Sequence, residues 1–204
     1  MDNKNIFIFT VIVLLIVLSF SFDSLIIRLI SELRIPLLDD FFLGLTFASS
    51  DVIVFFFLTS LFLWKSHKRG WVLPLWFTLL LTGIISFIIK YAIQRPRPYQ
   101  LGLVSAFEVL QKASHIVWNF SFPSFQAMLV FSAIPILSKE FPKFKYIWII
   151  FAGLVGFSRV YFGVHFLSDV LAGGLIGYII GALIVKQEEE NEFFKRAYKR
   201  VFKK

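Results

Sequence analysis

Residues 158–169, SRVYFGVHFLSD, place an arginine, a histidine and an aspartate within eleven residues, and apolar runs flank them on both sides. His165 and Asp169 are four residues apart, so on a helix both side chains lie on one face. The carboxylate can then fix the tautomer of the imidazole and leave its other nitrogen as a nucleophile or base. Arg159 precedes this pair, and its guanidinium suits a phosphate or a carboxylate. The alternative is a structural ion-pair cluster that joins two helices.

The composition of the chain is that of a membrane protein. Its 204 residues include 27 Phe, 58% are hydrophobic, and the mean hydropathy is +0.79. Ionisable groups at bilayer depth cost about 2.5–3.5 kcal/mol, so they usually line a functional cavity. The net charge of +8 is spread over short segments between apolar runs, which indicates topology signals and no nucleic-acid partner. The absence of cysteine excludes disulfides and cysteine metal sites.

The apolar runs predict an all-α fold, a polytopic membrane helical bundle with six transmembrane helices. The expected spans are residues 6–22, 41–64, 72–93, 123–137, 146–161 and 164–185. The first is interpreted as a retained helix, since no signal-peptide cleavage site follows it. Residues 24–34 have apolar side chains at helical spacing, which predicts a separate interfacial amphipathic helix ended by Pro36.

Finer features of the spans give three more expectations. Asp51 lies inside the second run and is expected near a helix start. Pro123 is expected at the first position of the fourth helix, and residues 99–122 are expected to form a partly helical external loop. The sixth span carries a stripe of small residues that predicts close packing against a neighbouring helix: Gly173, Gly174, Gly177 and Gly181.

Basic residues assign the two sides of the membrane. With six spans, the N-terminus, two short basic loops and the tail share one side and carry 14 of the 21 Lys and Arg residues. The positive-inside rule makes that side cytoplasmic. The opposite face then gathers the polar ends of four spans, which carry Lys90, Arg97, Ser124, Arg159, His165 and Asp169. Because three cations around one histidine repel one another unless an anion lies among them, we expect a phosphate there and no metal.

These residues have a spacing that resembles the three-part signature of the type-2 phosphatidic acid phosphatase superfamily, the integral-membrane lipid phosphate phosphatases. The matching segments are Lys90-x6-Arg97-Pro98, Pro123-Ser124 and Ser158-Arg159-x5-His165-x3-Asp169. The motifs cover residues 90–169, and the six-helix layout extends the resemblance over nearly the whole chain.

The resemblance implies a role for each residue. Lys90, Arg97 and Arg159 would bind the phosphoryl oxygens, together with Ser124 and backbone N–H groups at the start of the fourth span. His165 would attack phosphorus and form a phospho-histidine, oriented by Asp169, and water would then release phosphate. No cofactor or metal is implied, because the three cations stabilise the developing charge.

The second motif departs from the family pattern. The family has Pro-Ser-Gly-His where this chain has Pro-Ser-Phe125-Gln126. The missing histidine is expected to protonate the leaving group, a role worth about 10²–10⁴-fold in rate. Gln126 can hydrogen-bond a phosphate but has no proton to transfer, and Phe125 narrows the backbone approach to the phosphate.

Four explanations for this departure are open at the level of sequence. The first is that the substrate is a lipid pyrophosphate, whose leaving phosphate has a second pKa of about 6 and needs no acid. His115, in the loop before the motif, is a candidate surrogate acid, with an ordinary interfacial histidine as the alternative. The third explanation is an inactivated variant, and the fourth is a relative that only binds.

The sequence therefore predicts a six-helix membrane phosphatase domain over residues 1–186 and a basic amphipathic cytoplasmic tail over residues 187–204. The predicted enzyme is a metal-independent phosphatase of the inner membrane with its site facing the periplasm or exterior. Candidate substrates are undecaprenyl pyrophosphate, phosphatidylglycerol phosphate and the 1-phosphate of lipid A. The alternative is a non-catalytic lipid phosphate binder or transporter that retains the cationic site. The expected partners are the lipid substrate and membrane lipids, and the oligomeric state is left open.

Overall fold

The computed structural model describes residues 3–105, 119–194, 196 and 198. Over these residues the chain is helical and contains no strand, which confirms the all-α class. The α-helices are α1 Asn3–Ser31, α2 Pro36–Ala48, α3 Asp51–Trp64, α4 Val72–Ile93, α5 Phe125–Glu140, α6 Phe144–Tyr161 and α7 Leu167–Asn191, with a 3₁₀ helix at Ser66–Trp71.

The chain is a multi-pass membrane protein. In its described part, four helical segments are long and apolar enough to cross a membrane: Phe9–Ser31, Ser66–Ile93, Phe144–Tyr161 and Leu167–Asn191. A fifth span results if α2 and α3, bent by 61°, are taken together. The helix α5 has only 16 residues, fewer than the about 20 that a bilayer requires. The count of six spans stays a prediction.

The first helix is longer than predicted. The prediction of a separate amphipathic helix over residues 24–34 was wrong, because α1 continues without a break through Asp23 to Ser31. The carboxylate of Asp23 is buried and bonded to side chains of the bundle, so it does not end the helix. Ile26, Ile27 and Ile30 in the second half of α1 pack against the bundle, whereas Leu25 and Leu29 are exposed.

The second apolar run is interrupted, contrary to the single helix predicted over residues 41–64. The helix α2 ends at Ala48 and α3 begins at Asp51. Ser50 provides the N-cap of α3, since its hydroxyl accepts a hydrogen bond from the Ile53 N–H group at 3.5 Å. Asp51, in the first turn, complements the positive end of the helix dipole. The expectation that Asp51 marks a helix start is confirmed.

The packing of α5 against α7 is the most extensive helix contact in the structure. A Cβ atom on Gly177 would lie 2.1 Å from the Met128 carbonyl oxygen, and one on Gly181 would lie 2.1 Å from that of Ser132. The predicted close approach along the glycine stripe is therefore confirmed. It fixes the start of α5 directly against the start of α7.

The boundaries at the starts of α5 and α7 are shifted from those expected. The helix α5 begins at Phe125 with Ser124 as its N-cap, so the expectation of Pro123 at the first helical position was wrong. The helix α7 begins at Leu167, three residues later than expected, and continues past residue 186 to Asn191. The shift leaves His165 in a short connection before α7, with Asp169 in the first turn.

Candidate active site

The ionisable residues singled out in the sequence meet at one end of the bundle. Lys90 lies in the last turn of α4 and Arg159 in the last turn of α6. Ser124 caps α5, and Asp169 lies in the first turn of α7. Helices that run in opposite directions thus bring two C-terminal ends and two N-terminal ends together. The connections before α5 and α7 complete the site.

His165 is the buried centre of this cluster, with 5% of its surface exposed. Its Nδ1 atom lies 3.7 Å from Oδ2 of Asp169, and its Nε2 atom lies 3.5 Å from Nη1 of Arg97. Among the described residues Nδ1 has no hydrogen-bond partner, because 3.7 Å is longer than a normal hydrogen bond. The imidazole therefore has a carboxylate on one side and a cation on the other.

The environment of His165 favours its neutral form. The connection that carries it lies between α6 and α7. Burial, followed by the positive charge of Arg97, lowers the pKa of His165 to about 3, and Asp169 opposes this shift. A neutral imidazole is the form that can act as a nucleophile or a base, and at physiological pH His165 is in that form.

Asp169 is held on both of its carboxylate oxygens. Oδ1 accepts a hydrogen bond of 2.6 Å from Nη1 of Arg95. Oδ2 accepts one of 2.8 Å from the backbone N–H group of Phe166 and another from the hydroxyl of Ser121. The aspartate is thus fixed in one orientation, with Oδ2 toward His165.

Two of the cations hold the chain that precedes α5. Lys90 is 1% exposed, and its Nζ atom donates to the Phe120 carbonyl oxygen at 2.6 Å. Arg97 donates from Nε to the Asn119 carbonyl oxygen at 3.1 Å and from Nη1 to the Val164 carbonyl oxygen at 2.9 Å. These three acceptors are backbone carbonyl oxygens, and they fix the orientation of both cations.

The third cation, Arg159, is buried among uncharged side chains. Nη1 donates to Oε1 of Gln126 at 2.5 Å, and Nη2 donates to the hydroxyl of Thr46. Nε lies 3.2 Å from the Ser158 hydroxyl. Gln126 thus lies in the site as expected, with its carbonyl oxygen engaged by Arg159. Its amide N–H groups are the part that suits a phosphate oxygen.

Ser124 joins the starts of α5 and α7. Its backbone N–H group donates to the Asp169 carbonyl oxygen at 3.0 Å. Its hydroxyl is buried and has no hydrogen-bond partner among the described residues. A buried hydroxyl at a helix start is suited to donate to an anion.

Sequence reasoning missed four residues of this network: Asp23, Thr46, Arg95 and Ser121. Asp23 had a usable signal, since it is a charged residue between two apolar segments. Arg95 lies two residues before Arg97 in the same basic motif. For Thr46 and Ser121 the sequence offers no signal. His115, the candidate surrogate acid, lies outside the described residues.

Comparison with known proteins gives consistent matches. The sequence model of the PAP2 superfamily matches residues 71–193. Undecaprenyl-diphosphatase of Sulfolobus acidocaldarius is 34% identical over 112 residues, which are 53% of this chain and 54% of that protein. The chain spans about half the length of the curated relatives it matches.

Two solved structures share the fold. A transmembrane PAP2-type phosphatidylglycerolphosphate phosphatase from Bacillus subtilis superposes with a TM-score of 0.70 at 23% identity, over 91% of this chain and 98% of that one. LpxE of Aquifex aeolicus superposes with a TM-score of 0.62 at 32% identity, over 78% of this chain and 92% of that one.

Proposed function

The chain belongs to the PAP2 superfamily, and we propose that it hydrolyses the terminal phosphate of a membrane lipid phosphate or pyrophosphate. One observation carries this proposal: the imidazole of His165 lies between the carboxylate of Asp169 and the guanidinium of Arg97. A structural ion pair would need no second cation on the far side of the ring. A histidine that attacks an anionic phosphate needs a carboxylate to orient the ring and a cation to bind the phosphate.

The reaction proceeds in two steps. Nε2 of His165 attacks the terminal phosphorus, the N–P bond forms, and the bond from phosphorus to the bridging oxygen breaks. Lys90, Arg97 and Arg159 stabilise the charge on the equatorial oxygens, and the Asp169 carboxylate stabilises the imidazolium. Water then attacks the phospho-histidine, inorganic phosphate leaves, and the neutral imidazole is restored.

A lipid pyrophosphate is the substrate that fits the altered second motif best. Gln126 occupies the acid position and has no proton to give, while its carbonyl oxygen is held by Arg159. A departing phosphate needs no acid, since its second pKa is about 6. A departing alkoxide does need an acid, since the pKa of its conjugate acid is close to that of water, about 15.7. Relatives named for each of the three candidate lipids match the chain, so the leaving-group argument alone carries this choice.

We place the protein in the cytoplasmic membrane with the site on the external side. The exposed basic loop that carries His67 and the start of α6 at Lys143 and Lys145 lie at the opposite ends of the helices from the site. The positive-inside rule assigns such segments to the cytoplasm. A substrate with its headgroup in the outer leaflet then reaches the site without crossing the membrane.

One observation favours the second candidate function, a lipid phosphate binder or transporter without turnover. Gln126 replaces the expected acid and is tied to a phosphate-binding cation, an arrangement that serves binding as well as catalysis. A pure binder, however, needs no aspartate oriented toward a histidine. The pair of His165 and Asp169 therefore favours the enzyme.

Phosphate release in detergent separates the two candidates. The purified protein is given undecaprenyl pyrophosphate, phosphatidylglycerol phosphate or lipid A, with EDTA present. We expect release that is fastest on the pyrophosphate, is lost in His165→Ala and is unchanged in His67→Ala, because His67 is exposed far from the site. His115→Ala reports whether that residue supplies a proton. Lipid binding without release from any substrate would establish the binder.

A further inference from the structure

The helix α1 contributes a buried carboxylate that the family match does not explain. Asp23 is 3% exposed, whereas most of the helix around it presents apolar side chains to the surroundings. It lies outside residues 71–193, the part matched by the family. Burying a carboxylate is costly unless it is paired and hydrogen-bonded. The hydrogen-bond partners of Asp23 therefore indicate the role of this buried carboxylate.

Asp23 and Asp169 are bridged by a single guanidinium. Nη2 of Arg95 donates to Oδ2 of Asp23 at 2.7 Å, and Nη1 donates to Oδ1 of Asp169 at 2.6 Å. The Cζ atom of Arg95 lies 4.9 Å from the centre of the Phe20 ring and 4.1 Å from that of Phe166. Rings and carboxylates together leave the guanidinium one orientation.

Asp23 also holds the start of the helix that carries Asp169. Oδ1 of Asp23 accepts a hydrogen bond of 3.1 Å from the backbone N–H group of Ser168. Oδ2 accepts one from the Ser168 hydroxyl. That hydroxyl also accepts a bond of 2.7 Å from Nη1 of Arg95. Asp23 thus fixes both the neighbour of Asp169 and the arginine that binds it.

We propose that Asp23 and Arg95 are positioning residues for the phosphatase reaction, which hold Asp169 so that its Oδ2 faces Nδ1 of His165. This inference rests on the proposed function. In the described structure Oδ2 is 3.7 Å from Nδ1, so a small closure makes the hydrogen bond that stabilises the imidazolium. The first helix, outside the family match, is thereby part of the catalytic apparatus.

The alternative is that these residues only hold α1 against the bundle. An ion pair between Asp23 and Arg95 would be enough for that. Nη1 of Arg95 is instead bonded to Asp169. Without Arg95, the nearby cations Lys90 and Arg97 would attract the same carboxylate. A tether fixes a helix, whereas this arrangement fixes the orientation of a carboxylate that faces the nucleophile.

The test compares steady-state kinetics of Asp23→Asn and Arg95→Lys with the wild type on the preferred lipid. We expect kcat to fall about 10–100-fold, with KM changed less than about threefold, since the phosphate-binding cations are untouched. Ser19→Ala is the matched control. Ser19 is buried one turn earlier on the same helix, and its hydroxyl bonds only the Ile16 carbonyl oxygen in the described structure, at 2.6 Å. We expect it to leave kcat unchanged.

Chemical rescue separates positioning from tethering. Arg95 retains partial exposure, 19% of its side chain, so a small cation can reach its place. In Arg95→Ala we expect millimolar guanidinium chloride, far below denaturing levels, to restore kcat at least severalfold, and equal sodium chloride to restore none.

Three outcomes overturn the inference: variants with wild-type kcat, losses equal to that of Ser19→Ala, or failure of both Asp23→Asn and Arg95→Lys to fold. The last would show that the network is structural. A wild-type protein that turns over none of the lipids is a different result. It overturns the proposed function itself.

Discussion

Arg159 donates a hydrogen bond of 2.5 Å from its Nη1 atom to Oε1 of Gln126. The contact joins the last turn of α6 to the first turn of α5, at the position where the family has a histidine. It orients the amide of Gln126 in the site while leaving the site without a proton donor at that position. If Arg159 binds phosphate as proposed, Gln126 supports that cation and supplies no proton.

Restoring the histidine is expected to change substrate preference. In Gln126→His we expect kcat/KM for phosphatidylglycerol phosphate to rise by up to about 10²-fold, because an alkoxide gains the proton it needs. The value for undecaprenyl pyrophosphate should change little. The matched control is Gln126→Leu, which removes the acceptor for Arg159. It should lower kcat/KM for both substrates by the same factor. An equal gain on both substrates would argue against a leaving-group role for this position.

Thr46 is expected to matter for substrate binding. Its hydroxyl accepts a hydrogen bond from Nη2 of Arg159, although Thr46 lies in α2, outside the family match. Thr46→Val keeps the shape and removes the acceptor. We expect KM to rise about fivefold, equivalent to about 1 kcal/mol, with a smaller effect on kcat.

Thr78→Val is the control for this effect. Thr78 is fully buried in α4, and its hydroxyl bonds the Pro74 carbonyl oxygen at 2.8 Å. Thr46 makes the same kind of bond to the Phe42 carbonyl oxygen, also at 2.8 Å. The two variants therefore differ in the contact with Arg159, and equal KM values in both would contradict a role for it.

The imidazole of His165 is expected to stay neutral well below pH 6.5. Burial and the charge of Arg97 lower its pKa to about 3, against about 6.5 for an ordinary histidine. The chain has three histidines, so the ring signals of His165 alone remain when His67 and His115 are both replaced by glutamine. In protein labelled with ¹⁵N-histidine, we expect the His165 shifts to remain constant from pH 8 to pH 5.

The lowered pKa of His165 also predicts how the free energy of unfolding depends on pH. Between pH 6.5 and about 3 the unfolded chain binds a proton at His165 that the folded chain does not bind. Stability therefore falls as the pH drops below 6.5. In His165→Gln this part of the acid sensitivity should disappear. A titration of His165 near pH 6.5 in the folded protein would contradict both expectations.

The sequence was sufficient to predict the convergence of the site but not the network that orients it. Lys90, Arg97, Arg159 and His165 could be assigned to one end of the bundle because span counting and motif spacing are local properties. Asp23 and Ser168 are 145 residues apart and bond only because α1 packs against the start of α7. A contact of that kind depends on tertiary packing, which no local pattern encodes.

The errors over α1 and α2 have a related cause. The pattern becomes amphipathic near Asp23 because Ile26, Ile27 and Ile30 pack against the bundle, and the backbone of α1 continues through this change. In the second run, Asp51 was sufficient to predict a helix start next to the Ser50 cap. The 61° bend that it permits depends on how α2 packs, with Phe42 against Tyr161 of α6.

The contact between α5 and α7 is expected to be the part of the fold least tolerant of added volume. A Cβ on Gly177 would meet the Met128 carbonyl oxygen at 2.1 Å, and backbone cannot move aside as a flexible side chain can. Gly177→Ala should therefore lower stability by about 1–3 kcal/mol. It should also lower activity, because separation of the helices moves Ser124 away from Asp169.

Gly153→Ala in α6 is the control for this prediction. A Cβ there meets nothing within 4 Å, so the substitution should be neutral or gain about 0.5–1 kcal/mol from the reduced entropy of the unfolded chain. Thermal unfolding in one detergent, followed by activity at a temperature where both variants are folded, separates the two effects. If Gly177→Ala were as stable and as active as Gly153→Ala, the close approach of α5 and α7 could not be what sets the geometry of the site.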